Sequence, residues 1–349
     1  MATTMRAVTF VRNDTVELQE KPVPQIASDE VLLKVSGAGL CHSDISIIGT
    51  GDDSPLIGFT LGHEVSGTIA EIGENVTGWS LGDPVLVSLM RSCGKCRECL
   101  AGRDNQCEVI TGRSPTGPIS PGIGVDGGMA DYIAVSSHHI GPLGDLDPVD
   151  AAPLADAALT PLHAINSVRD RLTGDATAVI LGLGGLGHVG LQILMAITGS
   201  RIIALDTDDE KLSFAAEHGA TAIRSDAEAA DKILELTDGI GADVVLDFVG
   251  VQPTVDIAIG VVRGGGAIRF VGLGGGSFDY EASNGADLPW CVNIERAYGG
   301  TRSEAREAIA LAQQDKIALE VTRYSLDDAL TAFDDLRQGR IQGRGVLVP

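Results

Sequence analysis

A chain of 349 residues, 44% hydrophobic and 21% charged, is long enough for two folded domains and apolar enough to bury cores, which excludes a disordered or low-complexity protein. Its 48 acidic residues against 25 basic ones leave a net charge of −23, a field that repels nucleic acid and anionic lipid and so excludes both as partners. No run approaches the roughly 18 uninterrupted apolar residues that span a bilayer, and Met1–Arg6 has no apolar signal core, so a cytoplasmic protein is expected.

The first 150 or so residues read as short strands between Gly, Pro and Asp turns: Ala7–Val11, Glu30–Val35, Glu64–Ile69, Asp83–Val87 and Met129–Val135. Apolar and polar residues partly alternate in them, as in half-buried antiparallel sheet, and a β-rich lobe is expected. Cys41-His42-Ser43-Asp44 follows the Gly37-Ala38-Gly39 turn, and Gly62-His63-Glu64 comes about twenty residues later. Thiolate and imidazole suit zinc, and a catalytic zinc needs one more protein ligand and an exchangeable position. Taken singly, the cysteine reads equally as a small buried hydrophobe and the histidine as a packed core residue.

Cys93-x2-Cys96-x2-Cys99-x7-Cys107 then crowds four thiols among loop-forming Gly94 and Gly102. Four thiolates complete a tetrahedral zinc and leave no open position, so this site is expected to be structural. Disulfides are disfavoured in a reducing compartment, and the familiar iron–sulfur spacings differ.

From Asp150 to Ala164 the chain turns Ala-rich and helix-favouring. Beyond it, apolar runs at Thr177–Leu181, Arg201–Leu205, Ala220–Arg224, Asp243–Asp247 and Ala267–Val271 alternate with amphipathic segments at Asp208–Glu217, Ala227–Leu236 and Thr254–Val262. Nearly continuous Val, Ile and Leu strands joined by helical crossovers predict a doubly wound parallel sheet. The first crossover opens with Gly182-Leu-Gly184-Gly185-Leu186-Gly187. Gly182 suits the tight turn, Gly184 the approach of a pyrophosphate, and Gly187 close helix–strand packing, with the first-turn amides facing the anion. Asp206 ends the second strand, where a carboxylate accepts from ribose hydroxyls and repels a 2′-phosphate, so NAD is expected over NADP. A helix N-cap is its alternative role, although Thr207 and Asp208 stand closer to the helix start. The tail predicts helices at Glu304–Gln313 and Leu326–Arg337 and a strand at Gly345–Val348 that returns to the first lobe.

Together these segments make the chain resemble, nearly end to end, the zinc-dependent alcohol dehydrogenases of the medium-chain dehydrogenase/reductase family. The resemblance rests on Gly39–Asp44, Gly62–Gly67, the four-cysteine segment, Gly182–Gly187 and Gly343–Pro349, while Pro153–Pro161 resembles the bacterial secondary-alcohol and aryl-aldehyde branch. It implies an α/β protein with a GroES-like β-rich catalytic domain (1–158 and 302–349) and a Rossmann NAD-binding domain (159–301). It implies Cys41, His63 and Asp156 as catalytic zinc ligands, Asp156 standing where many relatives carry cysteine, and hence two zinc ions per chain. Glu64 resembles a carboxylate that can approach the metal, and Ser43 the hydroxyl that passes the alcohol proton toward the cofactor ribose. Thr160 resembles a residue beside the nicotinamide, Arg344 one on the pyrophosphate, and His42 one near that phosphate. Where some relatives finish the proton relay with a histidine, this chain has Ser46, leaving His42 or water for that step.

The implied reaction is reversible hydride transfer between a small-molecule alcohol, secondary or aryl, and NAD, in a homotetramer or else a homodimer. Rival readings are a polyol or 3-hydroxy amino acid dehydrogenase and a non-catalytic NAD-binding protein. Residues Ser46–Thr60 and Ala297–Gly299 are expected to line a roomy substrate pocket. Trp290 is expected to pack, Cys291 to be a buried or incidental thiol, His138, His139 and His218 to face solvent, and His188 to pack at a helix start.

Overall fold

The computed structural model describes residues 3–110, 119–284 and 286–349. Its contacts divide the chain into two compact units, one of residues 1–159, 299–315 and 319–349, the other of residues 160–298 and 316–318. Leu159 and residues 299–301 thus fall in the first unit, and Lys316–Ala318 in the second.

Strand Glu30–Gly39 is the hub of the first unit. It pairs antiparallel with Glu64–Ile72 along its length, with Tyr132–Ser136 over its first half, and with Arg344–Val348 through Ala38 and Gly39. The tail strand therefore returns to this lobe, as its apolar sequence suggested. Pro84–Val87 and Ile140–Pro142 extend the sheet on one side and Val321–Ser325 on the other. A core of Val31, Leu33, Val35, Val65 and Ile69 lies on one face, and Phe10, Leu40, Ile48, Phe333 and Leu347 form a second cluster. These large side chains are withdrawn from water almost completely, which holds both ends of the hub strand in place.

The second unit is a six-stranded parallel sheet. Reading across it, the strands are Thr221–Arg224, Arg201–Asp206, Thr177–Leu181, Ala242–Asp247, Val262–Phe270 and Asn293–Arg296. The first strand in the chain thus lies third in the sheet, the order of a doubly wound dinucleotide fold. Thr177–Leu181 is buried at every position, as its unbroken apolar sequence demands of a central strand. Helices Gly187–Ile197, Asp209–Glu217, Ala229–Leu236 and Gln252–Val261 make the crossovers. None of the helices is long and apolar enough to cross a membrane, among the described residues.

Two expectations, those for Trp290 and His139, are corrected. Trp290 is 73% exposed and so does not pack; Cys291 beside it is exposed, at a φ of 64°. His139 is only 8% exposed rather than solvent-facing, because the Ser92 amide donates to its Nε2 at 3.0 Å and holds the ring inward.

Candidate active site and metal centres

Cys41, His63 and Asp156 are delivered by three separate segments of the first unit. Cys41 caps helix His42–Ile48 in extended conformation, directly after the hub strand. Its amide donates to Asp44 Oδ2 at 2.9 Å, so an N3 carboxylate closes the helix start by the capping-box logic. His63 precedes the neighbouring strand and follows Gly62, whose φ of 94° and contact with Met129 leave no room for a Cβ. Asp156 ends the short helix Ala152–Ala155, its amide bonded to Pro153 O at 3.2 Å.

The three side chains converge, all buried, with one ligand atom from each within 4.8 Å of the others. Cys41 Sγ is 3.7 Å and His63 Nε2 3.5 Å from Asp156 Oδ2. Zinc bonds of about 2.0–2.3 Å at tetrahedral angles require ligand separations of roughly 3.3–3.8 Å. One thiolate, one imidazole and one carboxylate therefore fit zinc with a fourth position left over. Ser43 Oγ lies 3.4 Å from Cys41 Sγ, beside this set, and His42 is exposed at the helix start.

The surrounding charges favour a cation. Burial lowers the pKa of His63, yet Asp44, Asp156 and Cys41 outweigh it and hold the imidazole well above its usual range. That drive to take up a proton is the same field that would draw a metal ion. Behind Asp156, Arg344 forms a buried two-pronged pair with Glu64, its Nε 3.0 Å from Oε2, and its nearest nitrogen is 3.5 Å from Asp156 Oδ2. Burial pushes the Glu64 carboxyl up to about 7, Arg344 opposing and Asp156 adding to the shift. The resemblance gave Arg344 to the pyrophosphate; its guanidinium stands against the site's carboxylates, a contact the sequence reading did not contain. Gly39 is required here, since a Cβ would overlap the Glu64 carboxylate.

Sequence reasoning gave Asp44 no role, although it is fully buried. Its spacing of three from Cys41 was the signal that an N3 carboxylate would fold back on the cap.

The four-cysteine segment gathers its sulfurs in the same unit. Cys96 Sγ is 3.4 Å from Cys99 Sγ and 3.9 Å from Cys107 Sγ, and Cys93 Sγ is 4.0 Å from Cys99 Sγ. All four are free thiols. Those spacings suit four sulfurs around one zinc and are far too long for disulfides. Backbone amide bonds pull the Cys96 thiol down to about 6, and burial pushes Cys99 up to about 12.

In the second unit Gly182 has a φ of 87°, and a Cβ on Gly187 would overlap Gly182 O, whereas one on Gly184 would meet nothing. The first two glycine roles concern the protein's own packing; the empty space at Gly184 suits a ligand. Helix Gly187–Ile197 has Leu186 as its N-cap and no side-chain cap, leaving first-turn amides for an anion; Gly185 and Leu186 are partly exposed before it. Asp206 Oδ2 accepts the Leu183 amide at 2.7 Å, and Oδ1 accepts from Thr207 and Asp208 at 2.8 and 3.0 Å. Asp208, not Asp206, caps helix Asp209–Glu217. Thr160 is buried at the start of this unit, in helix Leu159–Asn166.

Comparison with known proteins agrees with this geometry. Residues 27–145 match the alcohol dehydrogenase GroES-like domain and residues 185–314 the zinc-binding dehydrogenase domain. A NAD-dependent alcohol dehydrogenase of Sulfolobus acidocaldarius is 30% identical over 344 residues, 96% of each chain. The D-arabinose 1-dehydrogenase (NADP(+)) of Saccharolobus solfataricus is 32% identical, over 97% of this chain and 95% of that protein. The alcohol dehydrogenase of Aeropyrum pernix superimposes with a TM-score of 0.89 at 32% identity, covering 99% of this chain and 100% of that one. The acetophenone reductase of Geotrichum candidum, solved with NAD, gives 0.87 at 28% identity, covering 100% and 98%. With a GroES-like lobe, a Rossmann unit and relatives matching along almost its whole length, this chain belongs to the zinc-type alcohol dehydrogenases of the medium-chain dehydrogenase/reductase family.

Proposed function

We propose that the protein is a NAD-dependent zinc alcohol dehydrogenase that interconverts secondary or aryl alcohols with ketones or aldehydes. The observation that carries this reading is the convergence of Cys41, His63 and Asp156 within 4.8 Å. Cys41, His63 and Asp156 would hold a catalytic zinc, and Cys93, Cys96, Cys99 and Cys107 a structural one. A zinc ion held there would supply Lewis-acid polarisation of the substrate oxygen, and bound NAD would supply the hydride acceptor. Ser43, beside the ligand set, takes the alcohol proton and passes it outward. His42 or water then receives that proton. Arg344, paired with Glu64, steadies Asp156 from behind.

Asp206 selects NAD: its carboxylate already holds the Leu183 amide and offers an anionic edge to ribose hydroxyls. The glycine loop from Gly182 to Gly187, through Gly184, Gly185 and Leu186, holds the pyrophosphate, Thr160 stands by the nicotinamide, and Arg344 adds positive charge. The secondary and aryl preference rests on the Pro153–Pro161 resemblance and on the likeness to an acetophenone reductase. A sugar or other polyol is the second reading, supported by the likeness to an arabinose dehydrogenase. A cytoplasmic homotetramer, or else a homodimer, completes the proposal.

The test follows NADH absorbance across primary, secondary, aryl and cyclic alcohols and aldoses. Turnover of alcohols with NAD supports the proposal; turnover of aldoses alone, or none with any, overturns it.

A further inference from the structure

A cavity of about 620 Å³ lies within the first unit, and neither Cys41, His63 nor Asp156 is among the described residues that line it. Its volume falls in the range of about 300–1,000 Å³ usual for small-molecule sites. One wall is apolar: Met5, Val23 and Tyr132 meet there in a small cluster of their own. Arg91, His139 and Ser88 also line it, as do Lys21, Glu30 and Asp126.

Arg91 is half-buried. Among the described residues no carboxylate lies within ion-pair distance of its guanidinium, whereas Arg6, Arg103, Arg263 and Arg344 each hold an aspartate or glutamate. A half-buried cation without a counter-charge is costly, and the cost disappears when an anion arrives. His139 stands beside it. The Ser92 amide lies 3.0 Å and the Ser92 carbonyl oxygen 3.1 Å from His139 Nε2, which fixes the ring in the lining. Burial and the Arg91 charge keep the ring neutral; Lys21, also in the lining, is already paired with Asp126 at 3.5 Å, so Arg91 is the cation of the lining without a carboxylate partner among the described residues.

We propose that this cavity binds a small organic carboxylate, its anionic end on Arg91 and its apolar body against Met5, Val23 and Tyr132. A lone guanidinium matches one planar carboxylate with two parallel hydrogen bonds. A phosphate dianion would leave charge uncompensated there, and a neutral polar molecule would leave Arg91 unpaired. The apolar wall selects against formate-sized anions and for an aryl or short aliphatic tail.

Calorimetric titration of the metal-loaded protein with benzoate, hexanoate and benzamide tests this. Saturable binding of benzoate and hexanoate is expected, at least about tenfold tighter than that of benzamide. Arg91→Met should lose that preference while its turnover of alcohol stays unchanged, and Arg91→Lys should keep part of it. Absence of saturable benzoate binding overturns the proposal, as does equal benzoate affinity in Arg91→Met, which would put the anion at another site. If Arg91→Met fails to fold, Ala134→Leu, which narrows the cavity from strand Tyr132–Ser136, serves with the same readings.

Discussion

Asp44 Oδ1 lies 3.4 Å from His63 Nδ1, both groups buried. At that distance the pair is an electrostatic contact, loosely aligned, while the other Asp44 oxygen is fixed by the Cys41 amide. The carboxylate thus ties the Cys41 backbone and the His63 ring to one buried group. Asp44→Ala should lower zinc affinity about 10- to 100-fold, the usual effect of losing an outer carboxylate. Zinc content after dialysis against graded chelator would measure it, and unchanged retention would deny Asp44 this role.

Metal analysis of dialysed protein should return close to two zinc ions per chain. Asp156→Ala should retain the four-cysteine zinc, lose the other and abolish alcohol oxidation while NAD binding persists. Asp156→Cys replaces one anionic ligand by another and should hold both ions. Full turnover by Asp156→Ala would show the three-residue site to be irrelevant.

The cofactor choice hinges on one carboxylate. Asp206→Ala removes the acceptor of the Leu183, Thr207 and Asp208 amides, so the NAD KM should rise by about tenfold or more, an effect of ~1.4 kcal/mol. NADP should become the better relative substrate. Steady-state kinetics with both nucleotides decide, and an unchanged NAD/NADP ratio would count against the assignment.

His139 links stability to pH. Burial first, then Arg91, lower its pKa from 6.5 to about 4 in the folded chain. The unfolded chain therefore binds more protons between those values, and stability falls as pH drops from 6.5 toward 4. At about 1.4 kcal/mol per unit the contribution is on the order of 3 kcal/mol. In urea melts the stability of wild type relative to His139→Gln should be constant above pH 6.5 and fall between pH 6.5 and 4; a difference that does not change across that window would refute the linkage.

With a net charge of −23 the folded chain repels itself, and salt should relieve that repulsion. The melting temperature should climb by several degrees between about 0.1 and 1 M NaCl, where the screening length shrinks from ~10 to ~3 Å. A flat or falling profile in scanning calorimetry would show that the acidic surface is already balanced locally.

The parts most legible in the sequence were those under a single strong physical demand. Thr177–Leu181 could only be a central strand, because every residue in it is apolar or β-branched, and the glycine spacing announced the turn that follows. Four cysteines within one loop admitted few other uses. Edge strands were harder. Thr15–Pro22 carries Glu17, Glu20 and Lys21 and has just Val16 buried, and Asn293–Arg296 and Val321–Ser325 each pair on one side only, so none shows the apolar run of a covered strand. His139 was misread because its burial depends on the Ser92 amide, a partner 47 residues away. The same holds for Arg344 on Glu64: composition showed the charges, but their pairing depends on the register of the tail strand against Ala38 and Gly39.

That register carries a consequence for biosynthesis. Glu64 and Arg344 are separated by 280 positions in the chain, and at roughly 5–20 residues per second a ribosome needs on the order of a quarter of a minute to a minute between them. Through that interval the nascent lobe lacks the guanidinium that pairs with Glu64, so its closure around this pair waits on synthesis of the tail strand.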